Sequence, residues 1–314
     1  MADLTSPIFH DEEAARAYFE AMHWPDGPVC PWCSSTGPES IVKSENKTQR
    51  KGLWLCRPCF RLFSVTIGTV MERSHVPLHK WAMAFHLMAS SKKGISAHQL
   101  MRTLGLGSYK TAWFMAHRIR EAMRVDNPDL MGGPGETLEA DETYLGPKVR
   151  GRRGKAVNAQ GFKIGVADKM KVVALVERGG RARSKHVHAV TREVVADILE
   201  RNADTASHLR TDEARHYMSL GHAFASHEAV HHSAKEYGRG EAHTNTVEGY
   251  FSIFKRGMKG VYQQCGEQHL QRYLNEFDFR YSNRSSLGIE DSERAAIAVR
   301  NAVGKRLTYK GTKE

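Results

Sequence analysis

A chain of 314 residues is long enough for two or three modules with a real core, and too long for one minimal domain. Its 46 Lys and Arg against 35 Asp and Glu leave a formal net charge of +11 and a pI near 9.4, which favours a polyanionic partner, nucleic acid first. No run approaches the ~20 apolar residues needed to span a bilayer, and Met1 to Glu20 lacks the apolar stretch of a signal peptide; no membrane association and a cytoplasmic location are expected.

Residues 1–72 hold four of the five cysteines among turn-formers such as Pro25, Gly27, Pro28, Pro31 and Pro58. Cys30-Pro31-Trp32-Cys33 and Cys56-Arg57-Pro58-Cys59 are two C-x-x-C knuckles with 22 residues between them. Each grips one side of a tetrahedral ion, and four thiolates suit one Zn²⁺. Four ligands leave no open position, so the expected zinc ribbon is structural. The polar stretch from Gly37 to Gly52 is expected to form a hairpin, and Lys43, Lys47, Arg50, Lys51, Arg57 and Arg61 give the module a basic surface. Cys265, the fifth cysteine, reads as a packed thiol.

Residues 73–126 show apolar positions at helical spacing interrupted by Gly94, Gly105 and Gly107, a pattern for three helices. Ile95 to Gly105 followed by Ser108 to Arg124 has the form of a helix-turn-helix with Ser96 and Ser108 as N-caps. Lys110, Arg118 and Arg120 on the second helix are candidate DNA contacts.

A Pro- and Gly-rich linker from Asn127 to Gly135 precedes residues 136–284, where strand-like and helical runs alternate. Leu138–Tyr144, Ile164–Val166, Lys171–Glu177 and Leu209–Asp212 are expected strands, the third apolar enough to be central; Thr191–Arg201 and Asn245–Met258 are expected helices. This texture gives an α/β fold, a mixed sheet flanked by helices. Residues 285–314 are expected to form a C-terminal helical tail.

Three acids from distant parts of this region stand where one sheet edge can collect them: Asp141 inside a strand, Asp212 at the end of another, Glu248 on a helix. Strand alternation favours Asp141 over its neighbours Glu139 and Glu142. Such carboxylates suit two Mg²⁺ or Mn²⁺ ions, which prefer hard oxygen ligands and together act on the attacking and leaving oxygens of a phosphoryl transfer. On the helix, Val247, Phe251, Phe254 and Met258 form an apolar stripe, while Asn245, Glu248, Ser252 and Lys255 share another.

Asp141, Asp212, the 35 residues separating it from Glu248, and Lys255 seven positions later resemble the signature of DDE transposases and retroviral-type integrases. The two-knuckle ribbon, the run His243-Thr244-Asn245-Thr246-Val247-Glu248-Gly249, and Arg272 to Tyr281 are similar to bacterial insertion-sequence transposases over most of the chain. The resemblance implies a ribonuclease H-like fold and a multimer, a homodimer or larger, acting on double-stranded DNA at element ends and target, associated with the bacterial nucleoid. It also implies cleavage and strand transfer by two metal ions on Asp141, Asp212 and Glu248, with Lys255 holding a phosphate. Related elements are sometimes described with Asn as third member, and Asn245 lies one turn before Glu248; a charged oxygen suits Mg²⁺ better, so Glu248 is assigned as ligand and Asn245 as its assistant.

Arg150, Arg152 and Arg153, in a basic loop after the Asp141 strand, and Arg256 beside Lys255 are further candidate DNA contacts. Of the histidines before the Glu248 helix (His222, His227, His231, His232, His243), only His243 has a candidate active-site role. Two other readings stand beside the transposase: a DNA-binding regulator derived from one, and a ribonuclease H-like nuclease that does not join strands.

Overall fold

The structure, a computed structural model, describes residues 4–44, 48, 50–146, 169–212, 214–230 and 243–308, with the side chains of residues 215 and 216 excepted. The expected strand Ile164–Val166, the basic loop with Arg150, Arg152 and Arg153, and Lys47, His231 and His232 lie outside the described residues. The chain forms two compact units, Met1–Val125 with Asn283–Glu314, and Asp126–Ser282. No described helix is long and apolar enough to cross a membrane.

In the first unit, α1 (Glu12–His23) starts where the Asp11 side chain accepts the Ala14 N–H. A small antiparallel sheet follows, β1 (Ile41–Lys43), β2 (Trp54–Cys56) and β3 (Arg61–Phe63), with Ile41 opposite Cys56 and Trp54 opposite Phe63. Among the described residues its core is Cys30, Ile41, Cys56 and Phe63, with Trp24, Trp54, Cys59 and Ile67 packed beside them. So little apolar mass suits a module stapled by a metal.

Three helices occupy the segment where three were expected: α2 (Leu78–Ser90), α3 (Ala97–Thr103) and α4 (Tyr109–Ala122). Ser96 and Ser108 cap α3 and α4 by accepting the N–H groups of Gln99 and Thr111. Gly105, between them, takes the left-handed conformation at φ 56° that a side chain disfavours. The last helix, α9 (Asp291–Arg300), returns to pack on α2, which is why α2 is buried on several sides.

The second unit is built on a mixed sheet. Its described strands are β4 (Thr137–Leu145), β5 (Met170–Glu177), β6 (Ala182–Val187), β7 (His208–Asp212) and β8 (Ser226–Val230), in the order β6-β5-β4-β7-β8. The β6–β5 and β5–β4 pairs are antiparallel, and β4–β7 and β7–β8 are parallel. Val172 to Val176 are buried without interruption because β5 is covered on both faces. On one face Val172, Ala174 and Val176 meet α7 (Asn245–Gly257) and α8 (Leu270–Ser282) through Val247, Phe251, Phe254 and Phe277. On the other, Leu138, Ala140, Val173 and Leu175 meet Val195, Ile198 and Leu199 of α5 (Arg192–Asn202) and Tyr217 of the short α6 (Arg215–Met218). This is the ribonuclease H-like α/β arrangement, a mixed sheet between two helical layers.

Candidate active site and metal centres

The ribbon's four thiols converge as their spacing implies. Cys30 Sγ lies 3.6 Å from Cys59 Sγ and Cys33 Sγ 3.5 Å from Cys56 Sγ, and all four sulfurs lie within 4.8 Å of one another. Tetrahedral Zn–S bonds of ~2.3 Å place sulfurs about 3.8 Å apart, whereas a disulfide needs ~2.05 Å, so the set fits a zinc ion and not two bridges.

The carboxylates gather where β4 and β7 run parallel at the middle of the sheet. Alternation sends Leu138 and Ala140 to the α5 side and Glu139 and Asp141 to the α7 side. Glu139 is registered with Arg210 and Ala140 with Thr211, so one step further Asp212 falls beside Asp141. The carboxylates of Asp141, Asp212 and Glu142 each place an oxygen within 4.8 Å of the other two. Glu142 belongs by alternation to the opposite face, near Tyr217, yet its side chain reaches round to the same point. Burial, then the Asp212 charge, pushes the Asp141 carboxyl up to about 7, and Glu142 and Glu248 add to the rise. A group of hard oxygen donors that holds a proton near neutrality for want of positive charge fits a divalent cation. Tyr217, almost fully buried against these acids, has its phenol pushed far up by burial and their charge.

Glu248 is not a member of that tight group. It lies exposed in the first turn of α7, accepts the Thr244 hydroxyl at 3.2 Å, and acts on Asp141 through its charge. Asn245, the first residue of α7, is exposed as well. Lys255 is half-buried against the Phe251 ring; burial lowers its ammonium and the Asp141 charge partly restores it. The apolar stripe Val247, Phe251, Phe254 and Met258 is buried, with no member more than 4% exposed. The structure thus sets Asp141 and Asp212 side by side, adds Glu142, and keeps Glu248 and Lys255 within electrostatic reach of Asp141.

The candidate DNA contacts divide. Lys110 and Arg256 are exposed. Arg118 donates to the Glu72 carbonyl at 3.0 Å and stacks on Phe114. Arg120 is only 2% exposed, so its assignment as a DNA contact is corrected: at helical spacing from Ala116 and His117 it belongs to the inner face of α4.

In the sequence Glu139 reads only as a rival to Asp141. Its side chain is fully buried and receives the N–H groups of Thr246 and Val247 at the start of α7, with Arg178 on its other oxygen. Alternation two residues before Asp141 was the available signal, because it places Glu139 on the α7 face.

Residues 132–282 match the model of the ISXO2-like transposase domain, and residues 10–61 match that of the transposase zinc-ribbon domain. An uncharacterized protein in transposable element ISH50 of Halobacterium salinarum is 29% identical over 282 residues, 87% of this chain and 91% of that protein. A chain from the cryoEM structure of the simian T-cell lymphotropic virus intasome in complex with PP2A regulatory subunit B56 gamma aligns at 15% identity and a TM-score of 0.29, over 57% of this chain and 63% of that one. The chain thus carries a transposase zinc-ribbon domain followed by an ISXO2-like transposase domain, and over most of its length it is similar to a protein of a transposable element.

Proposed function

We propose that the protein binds the inverted ends of an insertion sequence as a dimer or larger multimer, cuts the DNA there, and joins the freed 3′ ends to target DNA. The observation that carries this reading is the convergence of Asp141, Glu142 and Asp212 at the sheet centre, beside the helix that bears Glu248 and Lys255. Asp141 and Asp212 would hold divalent ions, Mg²⁺ or Mn²⁺, with Glu142 and Glu248 completing the ligand set. Bound cations would supply Lewis acidity at the attacking and leaving oxygens of the phosphodiester. Lys255 holds its positive charge next to this point and is suited to a phosphate of the bound strand. Lys110, Arg256 and the basic residues of the ribbon would carry backbone contacts, with Arg150, Arg152 and Arg153 as further candidates on the chain that follows β4. The protein would work in the cytoplasm on the chromosome.

Strand cleavage of end-containing duplex DNA with Mg²⁺ or Mn²⁺ tests the reading. Wild-type protein should nick the element end, and Asp212→Ala should abolish nicking while leaving the zinc content and the fold intact; an Asp212→Ala protein that still cuts would end this assignment. A ribonuclease H-like nuclease is separated by supplying target DNA, since only a transposase yields joined products. A regulator without catalysis would bind the ends and cut under no metal condition.

A further inference from the structure

We propose that Glu139, held by Arg178, is a positioning residue that caps α7 from the sheet and fixes the rotation at which Glu248 faces Asp141. The inference rests on the reading of Glu248 as a ligand given above. An α-helix begins with N–H groups that lack intrahelical partners, normally met by the N-cap side chain. Here the N-cap, Thr244, makes no such bond, and its hydroxyl turns to Glu248. Glu139, more than a hundred residues earlier in the chain, supplies the cap: its Oε2 accepts the N–H of Thr246 at 2.8 Å and of Val247 at 3.0 Å. Its Oε1 accepts the Thr246 hydroxyl at 2.8 Å and Arg178 Nε at 2.7 Å.

Arg178 ties the same point to the residues before the helix. Its Nη2 donates to the His243 carbonyl at 2.9 Å and to His243 Nδ1 at 3.1 Å. A guanidinium can only donate, so in this contact Nδ1 is the acceptor. A carboxylate with no exposed surface, fed by two backbone amides, a hydroxyl and an arginine, is a costly group to bury unless all its partners stay in place. It makes the capped orientation of α7 the one that satisfies the charge. Because Glu139 is two residues from Asp141 on the same face of β4, and Glu248 follows Val247 directly, the cap links strand register to the side of the helix that looks at the acids.

The test uses the full-length zinc-loaded protein with Glu139→Gln, Arg178→Gln and Glu248→Gln, read by Mn²⁺ binding without DNA, hydrogen exchange, and cleavage. Glutamine keeps the shape of Glu139 but turns donors toward Arg178 and the Thr246 hydroxyl. Glu139→Gln is expected to speed exchange in the peptide spanning residues 243–250, to leave the first Mn²⁺ bound as in wild type, and to weaken the Glu248-dependent Mn²⁺ about tenfold or more. Cleavage should need correspondingly more Mn²⁺, a shift that a general loss of stability would not give. Wild-type exchange and Mn²⁺ dependence in a folded Glu139→Gln protein would overturn the proposal, and if that variant does not fold, the same outcome in Arg178→Gln would. The underlying reading fails separately: if Glu248→Gln binds Mn²⁺ and cuts as wild type does, Glu248 is no ligand whatever Glu139 does.

Discussion

Asp141 and Asp212 each stand one residue beyond the last paired positions of two adjacent parallel strands, Ala140 and Thr211, and so share a face at the point where the ladder opens. Strand pairing therefore brings together two like charges that would otherwise repel, and the sheet's stability is what keeps them close. Glu142 joins them from the far side of the same strand.

This geometry predicts an order among the acids. Glu142→Gln should weaken the first divalent ion, whereas Glu248→Gln should leave that ion within about threefold, weaken the second, and lower cleavage by roughly a hundredfold, since the transfer needs both ions. Mn²⁺ titration of both variants beside a cleavage assay decides the matter. Equal loss of the first ion in both would place Glu248 in the tight group and remove the distinction.

The ribbon should carry one zinc per chain. Its core is too small to stand alone, so the ion's binding energy, on the order of ten kcal/mol, is folding energy for this segment. Cys56, buried at the end of β2 and paired across the sheet with Ile41, is the ligand whose loss the sheet can least absorb. Cys56→Ser is expected to release most of the zinc and to open residues 10–61 to protease, while Mn²⁺ binding by the second unit persists. Retained zinc with a protected ribbon would show that three thiolates suffice.

Much of this organisation was readable from residue patterns, and the failures have physical causes. The knuckle spacing fixed the ribbon because metal geometry tolerates few alternatives, and the α7 stripe fixed that helix because Val247, Phe251, Phe254 and Met258 all point one way. The strands β6 and β8 carry little apolar signal: Ala182-Arg-Ser-Lys-His-Val187 and Ser226-His-Glu-Ala-Val230 lie at the sheet's described margins, where Ala182 and Val230 are the apolar side chains they bury. Glu139 was hidden for the opposite reason. A carboxylate in a strand reads as surface, and only its partners in α7, far along the chain, make a buried position tolerable. Arg120 carries a charge typical of a surface, but its helical phase beside Ala116 and Ile119 sets it on the inward side of α4.

The packing that carries α7 makes a stability prediction. Phe254 is fully buried and meets the Phe277 ring edge-on at 5.3 Å between centroids, joining α7 to α8 over the sheet. Phe254→Ala removes an aromatic side chain from a filled core and should cost about 3–5 kcal/mol. Denaturant unfolding of the second unit should show a lower midpoint with an unchanged slope; a loss below about 1 kcal/mol would mean that the helices close over the gap.

A second buried acid makes stability depend on pH. Asp278 on α8 accepts the Ser184 N–H and hydroxyl from β6 and the Tyr250 hydroxyl from α7, at 2.8, 2.8 and 2.6 Å. Burial nevertheless pushes its carboxyl up to about 7 from an ordinary value of 3.8, against the pull of Tyr250, Ser184 and the nearby Arg183. A raised folded pKa means that folding takes up a proton. The stabilising contribution is full below about pH 4 and is lost progressively as the pH rises to about 7. Asp278→Asn, neutral throughout, should not share that loss, and comparison with it cancels other titrating groups, Asp141 included. With zinc bound and no added magnesium, wild-type Tm minus Asp278→Asn Tm should fall between pH 5 and 7 and level off by pH 8. A difference that stays constant across this range would show that the three hydroxyl and amide donors keep Asp278 ionised in the folded protein.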